Sequence, residues 1–129
     1  MKNYSEKEAC RSADLQVLIH HIYELKKGIR NMVLHTMHSS EREEAEKILV
    51  QKEICFHTEV VNKRKINIFF GKPDCVEVIK SFGDKTLTEY SPEEDFILGI
   101  MLGYDRKEQC KRYINRKGLK VDKCVLSCA

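Results

Sequence analysis

The sequence predicts an α+β fold, with a three-stranded sheet in the order 1-3-2 and about five helices. Segments with apolar residues at helical spacing alternate with short runs of strand-forming residues. Two of these runs, residues 54–61 and 66–71, are separated by four polar residues, which is typical of a β-hairpin. Residues 66–71 are apolar on both faces. A strand buried on both faces is expected at the centre of its sheet.

The first half of the chain predicts a helix, a strand and a second helix before this hairpin. The first helix ends at Gly28, and its apolar face consists of Leu15, Leu18, Ile19, Ile22 and Leu25. Residues 30–37 are rich in strand formers. Ser40 and Glu43 have the spacing of a capping box and predict the start of the second helix.

The second half predicts three more helices. Pro73 opens the third helix and Gly83 ends it, with a predicted inner stripe of Cys75, Val78, Ile79 and Phe82. Ser91 is the predicted N-cap of the fourth helix, with Pro92 at its first position. Asp105 with Glu108 predicts the cap of the fifth helix, whose expected inner face is Cys110, Tyr113 and Ile114.

The fourth helix is unusually apolar, because residues 96–102 cover nearly its whole circumference. Such a helix is expected to be buried on all sides. A sheet of three short strands covers one side only, so the sequence predicts a homodimer. The predicted interface residues are Phe96, Ile97, Ile100 and Met101.

Length and composition indicate one domain in a reducing compartment. The chain has 129 residues and a net charge of +3. Residues 1–13 are expected to be a mobile tail, residues 14–118 a single domain and residues 119–129 a second tail. The N-terminus lacks the apolar core of a signal peptide, and no apolar run is long enough to span a bilayer. These features predict a cytoplasmic protein whose cysteines are thiols, with Cys55, Cys75 and Cys110 buried.

Three blocks of the chain, IHHIYELKKGIRNMVLHTM, INIFFGKPD and SPEEDFILGIMLGYDRKEQCKRY, carry a family resemblance. The chain resembles a small bacterial family known as a domain of unknown function, number two-thousand-twenty-three, over roughly residues 15–116. The resemblance implies a three-stranded, five-helix α+β fold that pairs as a homodimer. It also implies a genomic association with flavodoxins, and it transfers no catalytic residue.

Positive charge is concentrated near the C-terminus, where residues 105–123 contain eight Lys and Arg but three Asp and Glu. Together with the resemblance, this charge predicts a non-catalytic accessory or regulatory protein without a cofactor. Its expected partner is an acidic protein such as flavodoxin. The predicted partner-binding residues are Arg106, Lys107, Lys111 and Arg112, joined by Lys63, Arg64 and Lys65 of the hairpin turn.

Several alternatives remain open at the sequence level. The helix pair around Gly103 has a basic second helix, which also suits a DNA-binding helix-turn-helix unit. No catalytic motif is present, so an enzyme is disfavoured. A metal site is an alternative in which His20, His21 and Glu24 supply ligands one turn apart, completed by His35, His38 or His57. A thiol site is another, because Lys120 and Lys123 lie beside Cys124 and Cys128.

Overall fold

A computed structural model describes residues 12–121, which form three strands, five α-helices and two short 3-10 turns. The elements in chain order are α1 (Ala13–Lys26), β1 (Met32–His38), α2 (Arg42–Gln51), β2 (Cys55–Val60), β3 (Lys65–Gly71), α3 (Pro73–Ser81), α4 (Pro92–Met101) and α5 (Arg106–Lys117). The 3-10 turns are Ser39–Glu41 and Leu87–Glu89. The predicted α+β class is therefore confirmed. Within residues 12–121, no helix is long and apolar enough to cross a bilayer.

The sheet has the predicted order β1-β3-β2, and both neighbouring pairs are antiparallel. At the level of Phe70, β1 contributes Val33 and β2 contributes Phe56. All residues of β3 after Lys65 are buried. The central position of β3 follows from this burial, because a strand without a solvated face needs cover on both sides.

Two hydrophobic cores lie on opposite faces of the sheet. The first core joins α1 and α2 to the sheet face that carries Ile66, Ile68 and Phe70. The second core joins α3, α4 and the intervening turn to the face that carries Phe69, around Met32, Ile79, Tyr90 and Leu98. Side chains alternate between the two cores along β3, as expected for a strand.

Local capping signals position α4 and α5 where the sequence predicts them. The Ser91 hydroxyl accepts from the Glu94 N–H at 3.1 Å, and the Glu94 carboxylate accepts from the Ser91 N–H at 2.8 Å. Asp105 caps α5 by accepting from the Glu108 N–H at 3.0 Å. These bonds satisfy N–H groups that have no partner within the helix.

The predicted start of α2 at Ser40 is wrong. Residues Ser39–Glu41 form a 3-10 turn, and α2 begins at Arg42. The Ser40 hydroxyl lies 2.8 Å from the Nδ1 atom of His38, which also accepts from the Ser40 N–H. His38 therefore caps the turn in place of the capping box expected from Ser40.

One further boundary and one helix face differ from the sequence-based prediction. α1 begins at Ala13 with Ser12 as its N-cap, so these two residues belong to the helix, and residues 1–11 lie outside the described part of the chain. The buried face of α3 contains Val76 and Ile79, whereas Val78 is exposed. Ile79, Cys75 and Phe82 of the predicted inner stripe do pack in the second core, so the prediction is wrong for Val78 and missed Val76.

Candidate functional site

The two C-terminal helices form an antiparallel hairpin that is in contact along most of its length. Gly103, with a φ of +83°, lies in the connection between α4 and α5. Near the connection, Gly99 lies directly against the side chain of Gln109. Farther along, the rings of Phe96 and Tyr113 meet edge to face, with centroids 5.7 Å apart. The pairing of early α4 residues with late α5 residues defines the antiparallel arrangement.

Ion pairs hold the hairpin together on its polar side. The Asp95 carboxylate accepts from Nε of Arg112 at 2.7 Å and from Nη2 at 3.0 Å, and Nη1 of Arg116 lies 3.3 Å away. The hydrogen bonds from Arg112 hold the pKa of Asp95 below its usual value. At the far end, Lys117 pairs with Glu93 at 2.8 Å.

An open apolar groove of about 450 Å³ runs along the other side of the hairpin. Its lining is Phe96, Ile97, Cys110, Tyr113 and Ile114, with Glu93 at one end. Ile97 keeps 39% of its surface exposed. Of the four predicted dimer residues, Phe96 and Ile97 line this groove. Ile100 is half-buried, and Met101 packs against the second core.

The predicted burial is wrong for Cys110 and for Cys55, and the groove explains the exposure of Cys110. Cys110 was expected to be buried on the inner face of α5, but it is exposed in the groove. Cys55 is also exposed, at the first position of the outer strand β2, and Cys75 is half-buried. A side chain on an apolar helix face, such as Cys110 on α5, stays exposed where no neighbouring element covers that face.

The structure separates the predicted basic residues into paired and unpaired side chains. Arg106 and Lys107 are exposed at the start of α5 and form no ion pair within residues 12–121. Lys111 lies 3.5 Å from Glu108, an exposed contact of small energetic value. Arg112 is bound to Asp95 and therefore belongs to the hairpin contact as much as to the surface.

The hairpin turn carries the second predicted basic group. Lys63, Arg64 and Lys65 are all exposed. The turn is attached to the end of β1, because the Ser39 N–H and hydroxyl donate to the carbonyls of Arg64 and Lys63 at 2.8 Å each. α5 instead packs chiefly against α4. The two basic groups therefore lie on different elements of the fold.

The structure brings the three predicted metal residues near one another without forming a metal cluster. Glu24 lies 3.3 Å from Nδ1 of His21, 3.9 Å from Nε2 of His20 and 3.9 Å from Nε of Arg30. In the described residues, no group of three or more His, Cys, Asp or Glu side chains is arranged to hold a metal ion.

The other histidines are engaged elsewhere. Nε2 of His35 donates to the Asp14 carbonyl at 3.0 Å, and burial lowers the pKa of His35. His38 caps its own turn. His57 stacks on Phe69 at the opposite face of the sheet, and burial lowers its pKa too. The predicted thiols Cys124 and Cys128 lie outside the described residues.

The sequence analysis missed a buried carboxyl group on β2. Glu59 is 8% exposed; its Oε1 accepts from the Leu87 N–H at 3.1 Å, and its buried Oε2 has no hydrogen-bond partner among the described residues. Burial raises the pKa of Glu59, and the hydrogen bond from the Leu87 N–H offsets this rise only in part. In the sheet, Asn67 lies opposite both Glu59 and Thr36. The lone Asn in the apolar run 66–71 was the available signal for this polar row.

Fold and surface together define a small α+β protein in which helices cover both faces of the sheet and a helical hairpin keeps an open apolar groove. The chain belongs to the family described as Protein of unknown function (DUF2023), whose profile matches residues 16–116. This finding confirms the family resemblance. None of the curated proteins matches the chain significantly.

Proposed function

We propose that this chain is a cytoplasmic, non-catalytic binding protein that forms a homodimer and acts as an accessory or regulator of an acidic protein partner. The observation that carries the proposal is the α4–α5 hairpin, which places an exposed apolar groove and unpaired cations on one structural unit. Exposed apolar surface of this kind is typical of protein interaction sites.

The groove supports self-association because its lining is almost entirely apolar and includes two aromatic rings, Phe96 and Tyr113. Obligate dimer interfaces resemble a domain core cut in half and are rich in aromatic residues. A second copy of the hairpin supplies a surface of the same character. In the proposed dimer, Phe96 and Ile97 meet their equivalents across a two-fold axis.

Sedimentation at micromolar concentration tests the dimer. Wild type is expected at twice the chain mass, and Ile97→Asp at the mass of one chain, because a carboxylate in the groove opposes burial. Val50→Asp is the matched control, since Val50 is 64% exposed on α2, far from the groove. A folded wild-type monomer contradicts the proposal, as does dissociation by the control substitution.

The basic start of α5 supports an acidic partner. Arg106 and Lys107 are exposed and unpaired within the described residues, so their field is available to a partner. Complementary fields speed encounter and help to set specificity. Flavodoxin is the class of partner that the family resemblance implies, and Lys63 and Arg64 offer a second contact on the hairpin turn.

Charge reversal tests this docking surface. Arg106→Glu with Lys107→Glu is expected to abolish binding to an acidic flavodoxin. Lys27→Glu with Lys47→Glu, the same charge change at the C-cap of α1 and on α2, is expected to preserve it. Arg112 is left intact because its reversal would place a carboxylate against Asp95. Affinity for the wild type is expected to fall from 50 to 300 mM salt, as the screening length shortens from about 14 Å to about 6 Å.

A parallel titration with mixed-sequence duplex DNA separates the two main functional classes. Helix-turn-helix units cross at about 90–120° and expose the second helix to the major groove. In this chain, α5 lies antiparallel along α4, and Arg112, Arg116 and Lys117 are bound to acidic residues of α4. This arrangement favours a protein partner. Binding to duplex without binding to flavodoxin would overturn the proposal.

A further inference from the structure

A second concavity lies on the side of the α4–α5 hairpin away from the apolar groove. It has a volume of about 520 Å³ and is open to solvent. On α4, Leu98 and Leu102 face this cleft, whereas Phe96 and Ile97 face the groove. Residues 96 and 98 lie about 200° apart around a helix of 3.6 residues per turn, so the two concavities are separate surfaces.

The floor of the cleft is apolar. It consists of Leu34 on the outer strand β1, Leu87 in the 3-10 turn, and Leu98 and Leu102 of α4. Leu34, Leu87 and Leu102 are only half-buried and pack at the margin of the second core. The cleft is therefore a place where this core reaches the surface without a covering element.

The rim of the cleft carries net positive charge. Asp95, Arg112 and Arg116 are the ionised side chains that line it, so two guanidinium groups share one carboxylate. Arg112 uses Nε and Nη2 toward Asp95, and Arg116 uses Nη1 toward Asp95 and Nη2 toward the Tyr90 carbonyl.

Each guanidinium has five N–H donors, so both retain N–H groups that no residue of the cleft uses. The Glu89 carboxylate is not part of the cleft lining, and its Oε1 accepts from the N–H and hydroxyl of Thr86. The rim therefore favours a negatively charged group.

We propose that this cleft binds a small amphipathic monoanion, a molecule with one carboxylate and a compact apolar body. The apolar body lies on the leucine floor, and the carboxylate accepts from the free N–H groups of Arg112 and Arg116. The volume falls within the range of about 300–1,000 Å³ that is typical of small-molecule sites. Arginine suits the polar end, because its planar fork matches the two oxygens of a carboxylate.

Octanoate is the probe for this site. Its binding is monitored by two-dimensional ¹H–¹⁵N NMR of the full chain. Saturable shifts are expected at the Gly99 backbone amide and the Gln109 side-chain amide, because both residues line the cleft and the Gln109 side chain occupies the space where a Cβ of residue 99 would lie. Octanol and octylammonium have the same chain length without the negative charge. Each is expected to bind at least about tenfold more weakly, in keeping with the loss of a charge-assisted hydrogen bond.

Thr88→Trp is the blocking variant, because Thr88 is an exposed residue of the cleft lining and a large side chain there fills the opening without replacing a core residue. It is expected to weaken octanoate binding at least about tenfold, whereas Thr88→Ser leaves it unchanged. The backbone spectrum of each variant shows whether the fold is kept.

Three outcomes overturn the proposal. They are the absence of saturable shifts with millimolar octanoate, equal affinity for octanol, and octanoate shifts that centre on Ile97 and Cys110 in the groove instead of on the cleft. The dimer and docking tests substitute no residue that lines the cleft, so failure of this proposal is distinguishable from failure of the proposed function.

Discussion

Asp95 on α4 and Arg112 on α5 form a two-point hydrogen-bonded ion pair, with N–O distances of 2.7 and 3.0 Å. The carboxylate is largely buried, at 15% exposure of its side chain, whereas Arg112 is 58% exposed. The pair joins the two helices midway along the hairpin. It therefore ties the position of α5, with its basic residues, to the core-bound helix α4.

We expect Asp95→Asn to lower the free energy of unfolding by about 1 kcal/mol at pH 7, because it replaces charge-assisted bonds at a partly exposed site. The pKa of Asp95 is depressed in the folded protein. Its contribution is therefore present above the unfolded pKa and is lost as the pH falls through the folded pKa. Urea denaturation at pH 7 measures the loss of stability in the variant, and urea denaturation well below pH 4 shows whether the difference from the wild type disappears in acid.

Glu108→Gln is the control for this prediction. Its pair with Lys111 is exposed and 3.5 Å long, so we expect little change in stability. An Asp95→Asn variant that matches the wild type at every pH would show that the ion pair does not stabilise the hairpin.

We expect Glu59→Gln to gain stability relative to the wild type as the pH rises from about 4 to 7. Burial raises the folded pKa of Glu59. Stability from this group is thus fully present below the unfolded pKa and is lost as the pH rises through the folded pKa. Glutamine keeps an acceptor for the Leu87 N–H and removes the cost of ionisation. Thermal or urea unfolding of both proteins across this pH range measures the effect.

Glu89→Gln is a control with the opposite sign. Hydrogen bonds from Thr86 lower the pKa of Glu89, so its contribution is present above the unfolded pKa and lost in acid. We expect this variant to be less stable than the wild type at pH 7 and equal to it at low pH. If both variants show the same pH dependence, the raised pKa of Glu59 is not supported.

We expect Gly71→Ala to destabilise the fold by at least about 2 kcal/mol, through backbone strain and a steric clash. Gly71 has a φ of +152°, and a Cβ there lies 2.3 Å from the Asn31 carbonyl oxygen and 2.8 Å from the Met32 Cα. Gly28→Ala is the comparison, because Gly28 has a φ of +79° with open space around it. Its cost is expected to be about 1 kcal/mol. Equal losses in chemical denaturation would mean that the close approach at Gly71 is relieved at no cost.

We expect alkylation of Cys110 to slow as protein concentration rises, because the proposed dimer covers the groove in which this exposed thiol lies. Cys55 is the internal control, since it is exposed on β2 and should react at one rate throughout. Timed alkylation followed by mass spectrometry reports both sites in one sample. Equal behaviour of the two thiols would count against the groove as the dimer interface.

The sequence determined the elements of this protein more completely than the way they meet. Ser91 and Asp105 mark helix starts because a cap bonds to N–H groups only two or three residues away. The central place of β3 follows from its two apolar faces, which are readable along one short segment. Ser40 shows the limit of such local signals. The predicted capping box would have Glu43 accept from the Ser40 N–H, but Nδ1 of His38 accepts from that N–H instead.

Only the tertiary structure decided which side chains are free, paired or buried. Arg112 and Arg106 are both cations on α5. The packing of α5 against α4 places Asp95 beside Arg112 and leaves Arg106 without this partner. Glu59 is buried because the turn before α4 donates to it from Leu87, 28 residues along the chain. Cys110 is exposed because nothing in the described chain covers its groove. These states depend on contacts between distant segments, and a local pattern carries no information about them.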